Sequence, residues 1–164
     1  MELRIATAED LVRIMKIIDA ARQIMRENGN TTQWINGYPS KELILNDIAS
    51  GNGFVCIENN ELVGYFCFIK GIHPEPTYTI IENGTWLNDK PYGVVHRLAS
   101  DGTVKGVAKA CFDYCFSQID NVRVDTNHNN LPMQNFFKKY GFNYCGTIYV
   151  DDGSPRDAFQ MEVE

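Results

Sequence analysis

The stretch from Val94 to Ala108, VVHRLASDGTVKGVA, decides how the rest of the chain folds around it. Residues 94–99 predict a β-strand, and the small residues Gly106 and Ala108 follow a short loop where a helical pattern begins. A strand that runs through a glycine-containing loop into a helix presents free backbone N–H groups and a positive helix end, which together bind phosphate. A plain strand-to-helix connection that needs small residues for packing explains the same letters, because no Walker lysine motif is present.

The segments on either side predict three further helices and six further strands. An α/β fold with a mixed, mostly antiparallel sheet and helices on both faces follows, in a single domain over residues 1–164, because one strand–helix–strand unit interrupts an antiparallel pattern. Residues 71–91 predict a loop with at most a short strand or turn near 78–81. In chain order the predicted segments are strand 3–6, a helix from 11 to about 28, a helix from 40 to 51, strands 54–57, 62–69 and 94–99, a helix from Val104 to about 116, strand 122–125, helix 131–140, and strands 142–150 and 158–163.

Charge and composition exclude several classes of protein. The chain carries 15 Lys and Arg against 21 Asp and Glu, a formal charge of −6, and this argues against nucleic-acid binding, which needs a basic face. The longest apolar run, 62–69, is too short to span a bilayer, and the first residues lack the order of a secretory signal. We therefore expect neither a nucleic-acid partner nor a membrane.

The five cysteines predict neither disulfides nor a metal site. Their number is odd and no C-x-x-C pair occurs, whereas Cys111 and Cys115 lie four apart on a predicted helix and fit small apolar core residues. We expect free thiols, no metal and a cytoplasmic setting.

A second stretch, from Asn130 to Phe142, reads NLPMQNFFKKYGF and follows the strand at 122–125. Together with residues 103–108 it resembles the two signature motifs of the GNAT acetyltransferase superfamily. The first motif is a Gln/Arg-x-x-Gly-x-Gly/Ala loop, here TVKGVA. The second is an Asn followed by a helix ending in Leu-Tyr-x-x-Leu-Gly-Phe, here Asn130 and FFKKYGF. The predicted order of elements is similar to that fold over essentially the whole chain.

The resemblance implies acetyl-CoA as cosubstrate, with its pyrophosphate on the amides from about Lys105 to Ala108. Its pantetheine arm would pair with backbone near Leu98 and Ala99 and contact Asn130, and the sheet would splay after its fourth strand to admit the thioester. The cofactor-binding residues implied in this way are Leu98, Ala99, Thr103, Val104, Lys105, Gly106, Val107, Ala108, Asn130 and Phe137.

Two positions depart from the family pattern. Thr103 replaces the usual Gln or Arg, which predicts weaker CoA binding through the loss of one side-chain phosphate contact. Phe137 stands where many members carry a tyrosine that protonates the leaving thiolate, and phenylalanine has no proton to give. Tyr140 is the nearby candidate for that role; a packed tyrosine with its hydroxyl at the surface explains it equally.

Removal of a proton from the attacking amine is the harder step. An amine with a pKa of about 10.4 costs roughly 4.6 kcal/mol to deprotonate at pH 7, against about 1.4 kcal/mol for an α-amino group. His96 is the first candidate base, because strand alternation places it with Val94 and Leu98 on one face and Arg97 on the other. The same alternation allows a packed histidine under a helix. Asp125 and His128 are further candidates.

The acceptor is expected to be a small-molecule or peptide amine. Trp34 and Trp86 lie in predicted loops, where they could wall its pocket or cover the edge of the core. The last two strands could pair across a homodimer. A rival function is a non-catalytic CoA-binding or sensor domain of the same fold, which turnover would separate from an N-acetyltransferase.

Overall fold

The structure, a computed structural model, describes residues 1–164 and forms one seven-stranded sheet flanked by four α-helices. The strands are β1 Glu2–Ile5, β2 Gly53–Glu58, β3 Glu61–Gly71, β4 Tyr92–Ser100, β5 Asn121–Thr126, β6 Asn143–Tyr149 and β7 Pro155–Glu162. The helices are α1 Leu11–Glu27, α2 Lys41–Ala49, α3 Val107–Gln118 and α4 Leu131–Tyr140. The sheet order is β1-β2-β3-β4-β5-β7-β6, and only β4 and β5 are parallel. The predicted fold class is confirmed.

The helices cover both faces of the sheet. On one face α1 and α2 pack over a cluster that includes Tyr65 and Ala99. On the other face α3 and α4 pack over Phe66, Val95 and Phe159. Neighbouring strand residues enter opposite clusters, as the period of two requires. None of the helices combines the length and the apolar character needed to cross a bilayer. All five cysteines are free and buried, so Cys111 and Cys115 are core residues as predicted.

Helix α3 begins later than its apolar pattern predicts. The prediction began this helix at Val104, but its first residue is Val107, and the preceding Gly106 has φ +96°, which ends any helical continuation toward Val104. Packing fixes this start, because a Cβ on Gly64 of β3 would lie 2.6 Å from Val107 Cγ1. The missing side chain of Gly64 therefore lets the first turn of α3 sit directly on the sheet.

A β-bulge in β4 overturns the predicted alternation of its side chains. Tyr65 pairs with Ala99 and Cys67 with His96, so two residues of β4 stand opposite one residue of β3. Arg97 has φ +56°, the only positive φ of a non-glycine residue inside a strand. Consequently Arg97 faces α2 together with His96, whereas Leu98 packs toward α3 and α4. The prediction that Leu98 shares a face with His96, opposite Arg97, was wrong because a bulge adds one residue to the period.

A buried ion pair holds the bulge. The guanidinium of Arg97 donates to both carboxylate oxygens of Asp47 in α2, at 2.8 and 2.6 Å, and Tyr65 Oη donates to the same carboxylate at 2.7 Å. The side chains of Arg97 and Asp47 are 10% and 5% exposed, respectively. Burial lowers the pKa of an arginine, but the hydrogen bonds to Asp47 and the charge interactions with Cys67, Tyr38 and Asp47 together outweigh it and raise the pKa of Arg97 above its ordinary value.

The two parallel strands separate just before the bulge. β4 and β5 pair only at Gly93–Val122 and Val94–Arg123. Beyond Val94, β4 keeps its partner on the β3 side and has none on the β5 side. The bulge bends β4 and increases its local twist, and the stretch of β4 beyond Val94, which includes His96, borders a gap in the pairing with β5.

We predict that Gly64→Ala destabilises the fold by about 1–3 kcal/mol, because its methyl group overlaps Val107 Cγ1. In a Val107→Ala background the same change should cost less than about 1 kcal/mol, since the overlapping atom is gone. Urea unfolding of the four proteins of this cycle measures both costs. Strictly additive costs would contradict this account of where α3 starts.

We also predict that Arg97→Met lowers the free energy of unfolding by roughly 3–5 kcal/mol, because it leaves the Asp47 carboxylate buried and unpaired. Adding Asp47→Asn should restore at least half of the loss, since the neutral amide still accepts from Tyr65. Arg26→Met, which removes an exposed arginine without an ion pair, serves as the control in the same urea titration. A loss no greater than that of the control would show that the ion pair does not hold the bulge.

Candidate active site

A row of unpaired backbone amides leads into α3. The amides of residues 104–109 donate no hydrogen bond within the chain, and the first helical donation is from Ala110 to the Gly106 carbonyl. A Cβ on Gly106 would meet no atom within 4 Å, so the space in front of the row is open. A groove of about 380 Å³ adjoins it, lined in part by Gly106 and Lys109. Free amides at a helix start with open space before them can hold an anion.

Asp101 shapes the loop that carries these amides. Its Oδ1 accepts from the amide and hydroxyl of Thr103 at 3.0 and 2.7 Å, and its Oδ2 accepts from Arg13 at 3.2 Å. The Asp101 amide donates to the Val63 carbonyl on β3. The Thr103 hydroxyl therefore has its partner within the loop. The groups left to face a ligand are the backbone amides of Val104, Lys105, Gly106, Val107 and Ala108.

Leu98 and Ala99 lie beyond the last pair between β4 and β5, so the edge of their backbone faces the gap. Asn130, predicted to contact the pantetheine, begins α4 and accepts from the Met133 amide at 3.3 Å. Its Nδ2 lies 3.4 Å from Oε1 of Gln33, in the loop between α1 and α2. Asn130 thus links the start of α4 to that loop in addition to any role toward a ligand.

Phe137 lies in the core between α3, α4 and β7. It is 3% exposed, and its ring centroid lies 6.0 Å from that of Phe112 and 5.1 Å from that of Phe159. Tyr140 packs on the same cluster, and its Oη donates to Asp113 of α3 at 2.8 Å. Burial, followed by the Asp113 carboxylate, raises the pKa of Tyr140. The structure therefore separates Tyr140 from His96, because the two lie on opposite faces of the sheet.

His96 is paired with a carboxylate that sequence analysis missed. Its Nε2 lies 2.9 Å from Oε1 of Glu75, and the two side chains are 20% and 19% exposed. Burial raises the pKa of Glu75, but the contact with His96, its charge and the hydrogen bonds from Thr77 together outweigh burial and hold that pKa below its ordinary value. The arrangement is a partly buried imidazole beside an ionised carboxylate.

Asp125 lies on the same face as His96, since Val122 and Val124 of β5 point into the opposite cluster. Tyr78 Oη donates to its Oδ2 at 2.6 Å, and burial raises the pKa of Asp125. His128, the third candidate base, is exposed and paired with Asp157 at 3.0 Å.

The loop that supplies Glu75 and Tyr78 is fastened to β5. Arg123 lies between the rings of Trp86 and Tyr92, 4.3 Å from each centroid, and donates to the Asn88 carbonyl at 2.7 Å. Trp86 also donates from Nε1 to the Tyr78 carbonyl at 2.9 Å. The indole of Trp86 therefore helps to hold this loop in place, through its contacts with Arg123 and the Tyr78 carbonyl.

Trp34 lies elsewhere, in a groove of about 400 Å³ between α1 and the α1–α2 loop. Asp19, Arg22 and Gln33 line the same groove, so its walls are mostly polar. The structure does not bring Trp34 and Trp86 together into one pocket.

Glu75 and Tyr78 are the residues that sequence reasoning missed. The only local signal is that Glu75 stands between Pro74 and Pro76, which restrict the backbone on both sides of it. Two flanking prolines thus limit the backbone conformations open to Glu75.

No family profile and no curated protein matches the sequence. Solved structures do match. A GNAT-family acetyltransferase from Streptococcus agalactiae superposes with a TM-score of 0.90 and 32% identity, over 99% of this chain and 95% of that one. A GNAT-family acetyltransferase from Listeria monocytogenes gives a TM-score of 0.69 at 19% identity, covering 99% and 94%. A ribosomal-protein-alanine N-acetyltransferase from Brucella melitensis gives 0.68 at 13% identity, covering 99% and 100%.

The two more distant structures establish the fold alone, whereas the Streptococcus agalactiae enzyme shares both the fold and nearly a third of its residues along almost its full length. That degree of similarity shows that this chain is an acyltransferase and belongs to the GNAT family of acetyltransferases.

Proposed function

We propose that this acetyltransferase moves the acetyl group of acetyl-CoA to a primary amine by direct attack of the amine on the thioester. The observation that carries the proposal is the row of free amides at residues 104–109, which follows along the chain from the stretch of β4 that has no partner on β5. A diphosphate on those amides would direct a thioester along the open edge of β4 into the gap.

The CoA site would consist mainly of backbone. The amides from Lys105 to Ala108 would hold the pyrophosphate, and the free edge at Leu98 and Ala99 would pair with the pantetheine amides. Because Thr103 gives its hydroxyl to Asp101, no side chain replaces the contact that a Gln or Arg would make there.

Proton removal from the amine would fall to His96. The imidazole takes one proton from the ammonium form of the amine and passes it to solvent, which frees the nitrogen lone pair for attack. As the new N–C bond forms and the C–S bond breaks, the nitrogen loses its second proton to solvent. This help matters most for basic amines, whose deprotonation at pH 7 costs about 4.6 kcal/mol for a pKa of about 10.4. The CoA sulfur departs as a thiolate and then takes a proton from solvent. Because the pKa of a thiol is only about 8.5, this departure needs no acidic side chain in place of Phe137.

A covalent acyl-enzyme is not part of the proposal. Burial raises the pKa of Cys56 and of Cys67 to about 12, so neither thiol supplies a thiolate near neutral pH. The five unpaired cysteines support a reducing setting such as the cytoplasm.

The acceptor would be a small-molecule or peptide amine that approaches from the face of His96. Glu75 and Asp125 place two carboxyl groups on that side of the gap. The groove beside Trp34 offers a second, polar surface for the distal part of an acceptor.

A second candidate function, a CoA-binding sensor without turnover, is favoured by one observation: Phe137 leaves the site without the usual proton donor. Both functions require CoA binding. Thiol release from acetyl-CoA across a panel of amines separates them, because a sensor would bind CoA and release no thiol with any acceptor.

We predict that Gly106→Ala weakens CoA binding at least tenfold, about 1.4 kcal/mol, because the methyl group enters the open space before the amides. Gly153→Ala in the β6–β7 turn is the matched control, since Gly153 also has positive φ, +84°, and equally open surroundings. Both variants should lose similar stability, roughly 1–2 kcal/mol from the left-handed backbone. Isothermal titration with CoA and urea unfolding measure the two effects. Equal CoA affinity in both variants would refute the placement of the diphosphate.

We predict that His96→Ala lowers the rate of thiol release by about 10²–10⁴-fold with basic amines, and less with α-amino groups, while the CoA affinity is unchanged. His73→Ala, which removes an exposed histidine from the loop before β4, should leave the rate unchanged. An equal loss with both classes of amine would remove His96 as the base.

A further inference from the structure

We infer that Glu75 is a positioning residue that holds His96 as the Nε2–H tautomer, so that Nδ1 is the atom that takes the proton from the acceptor amine. The inference rests on the proposed function for the role of His96 and goes beyond it in naming the atom and the residue that selects it.

The charge of the Glu75 carboxylate, close to Nε2, selects the tautomer. His96 Nε2 and Glu75 Oε1 are 2.9 Å apart, and a carboxylate oxygen is only an acceptor. A lone pair on Nε2 would lie 2.9 Å from a negatively charged oxygen and be repelled by it, whereas an N–H group in the same place is attracted. The proton of a neutral His96 therefore lies on Nε2, and its lone pair lies on Nδ1.

Nδ1 is free to act. It makes no hydrogen bond or ion pair within the chain, and the one polar contact of the ring is that of Nε2 with Glu75. The other titratable groups on that side, Asp125 and Tyr78, are bonded to each other through the 2.6 Å contact between Oη and Oδ2. No group of the chain therefore competes with an acceptor amine for the Nδ1 lone pair.

Glu75 is itself held on both sides, as an orienting group must be. Its Oε2 accepts from the Thr77 amide at 3.4 Å, and its carbonyl lies 3.5 Å from Tyr92 Oη. Pro74 and Pro76 restrict the backbone around it. The low pKa of this carboxyl keeps its charge in place when His96 becomes an imidazolium, the usual logic of a base oriented by a third group.

The first test measures the tautomer without any acceptor. Long-range ¹H–¹⁵N spectra at alkaline pH, where imidazole is neutral, distinguish the two ring nitrogens of His96, with His96→Gln used to assign its signals. We expect the Nε2–H form in the wild type and a mixture of both forms in Glu75→Ala. Glu82→Ala, which removes an exposed glutamate from the same loop, should leave the spectrum unchanged. An Nδ1–H form in the wild type, or an unchanged spectrum in Glu75→Ala, would overturn the inference.

The second test measures the reaction and uses Glu75→Gln, which keeps the shape of the side chain. We expect thiol release to fall about 10–100-fold with unchanged CoA affinity, while Glu82→Gln keeps the wild-type rate. A rate that needs His96 but is indifferent to Glu75→Gln would overturn this inference and leave the proposed function standing. No thiol release by the wild type with any amine would overturn both.

Discussion

The ion pair between Arg97 and Asp47 is the interaction on which the site depends. It keeps a non-glycine residue in a left-handed conformation that costs roughly 1–2 kcal/mol, and so it maintains the bulge in β4. The bulge turns His96 and Arg97 to one face, and β4 pairs with β5 only as far as Val94. A regular strand in this place would continue to pair with β5, and the gap proposed to admit a thioester would be closed.

The helices and strands of this fold could be predicted because each depends on neighbours along the chain. Where a helix starts and which way a strand residue faces depend in addition on residues far away in sequence. Apolar spacing within ten or twenty residues was sufficient for four helices and seven strands in the right order. The start of α3 was misplaced because Gly64, far along the chain on β3, sets where Val107 can rest. The predicted face of Leu98 was wrong because Asp47, fifty residues before Arg97, stabilises the bulge that changes the alternation of β4.

The candidate site divides in the same way. Gly106 near the start of a helical pattern indicates a backbone cradle, because free amides at a helix start are a local property. Tyr140 is a candidate proton donor because it is near Phe137 in sequence. Three residues further along the helix, however, its hydroxyl donates to Asp113 of α3. The role of Glu75 could not be predicted, because its contact with His96 joins a loop to a strand across twenty residues and no periodicity in the sequence marks such a contact.

The two carboxyl groups near His96 have opposite environments and therefore suit opposite tasks. Contact with His96 lowers the pKa of Glu75, whereas burial raises the pKa of Asp125, which accepts from Tyr78. An ionised partner stabilises an imidazolium, so the site favours taking a proton from an amine over giving one to a thiolate. Phe137 fits the same division, because a thiol needs little help to leave and a basic amine costs several kcal/mol to deprotonate. The polar groups of this site thus lie where the energetic demand of the proposed acetyl transfer to an amine would be greatest.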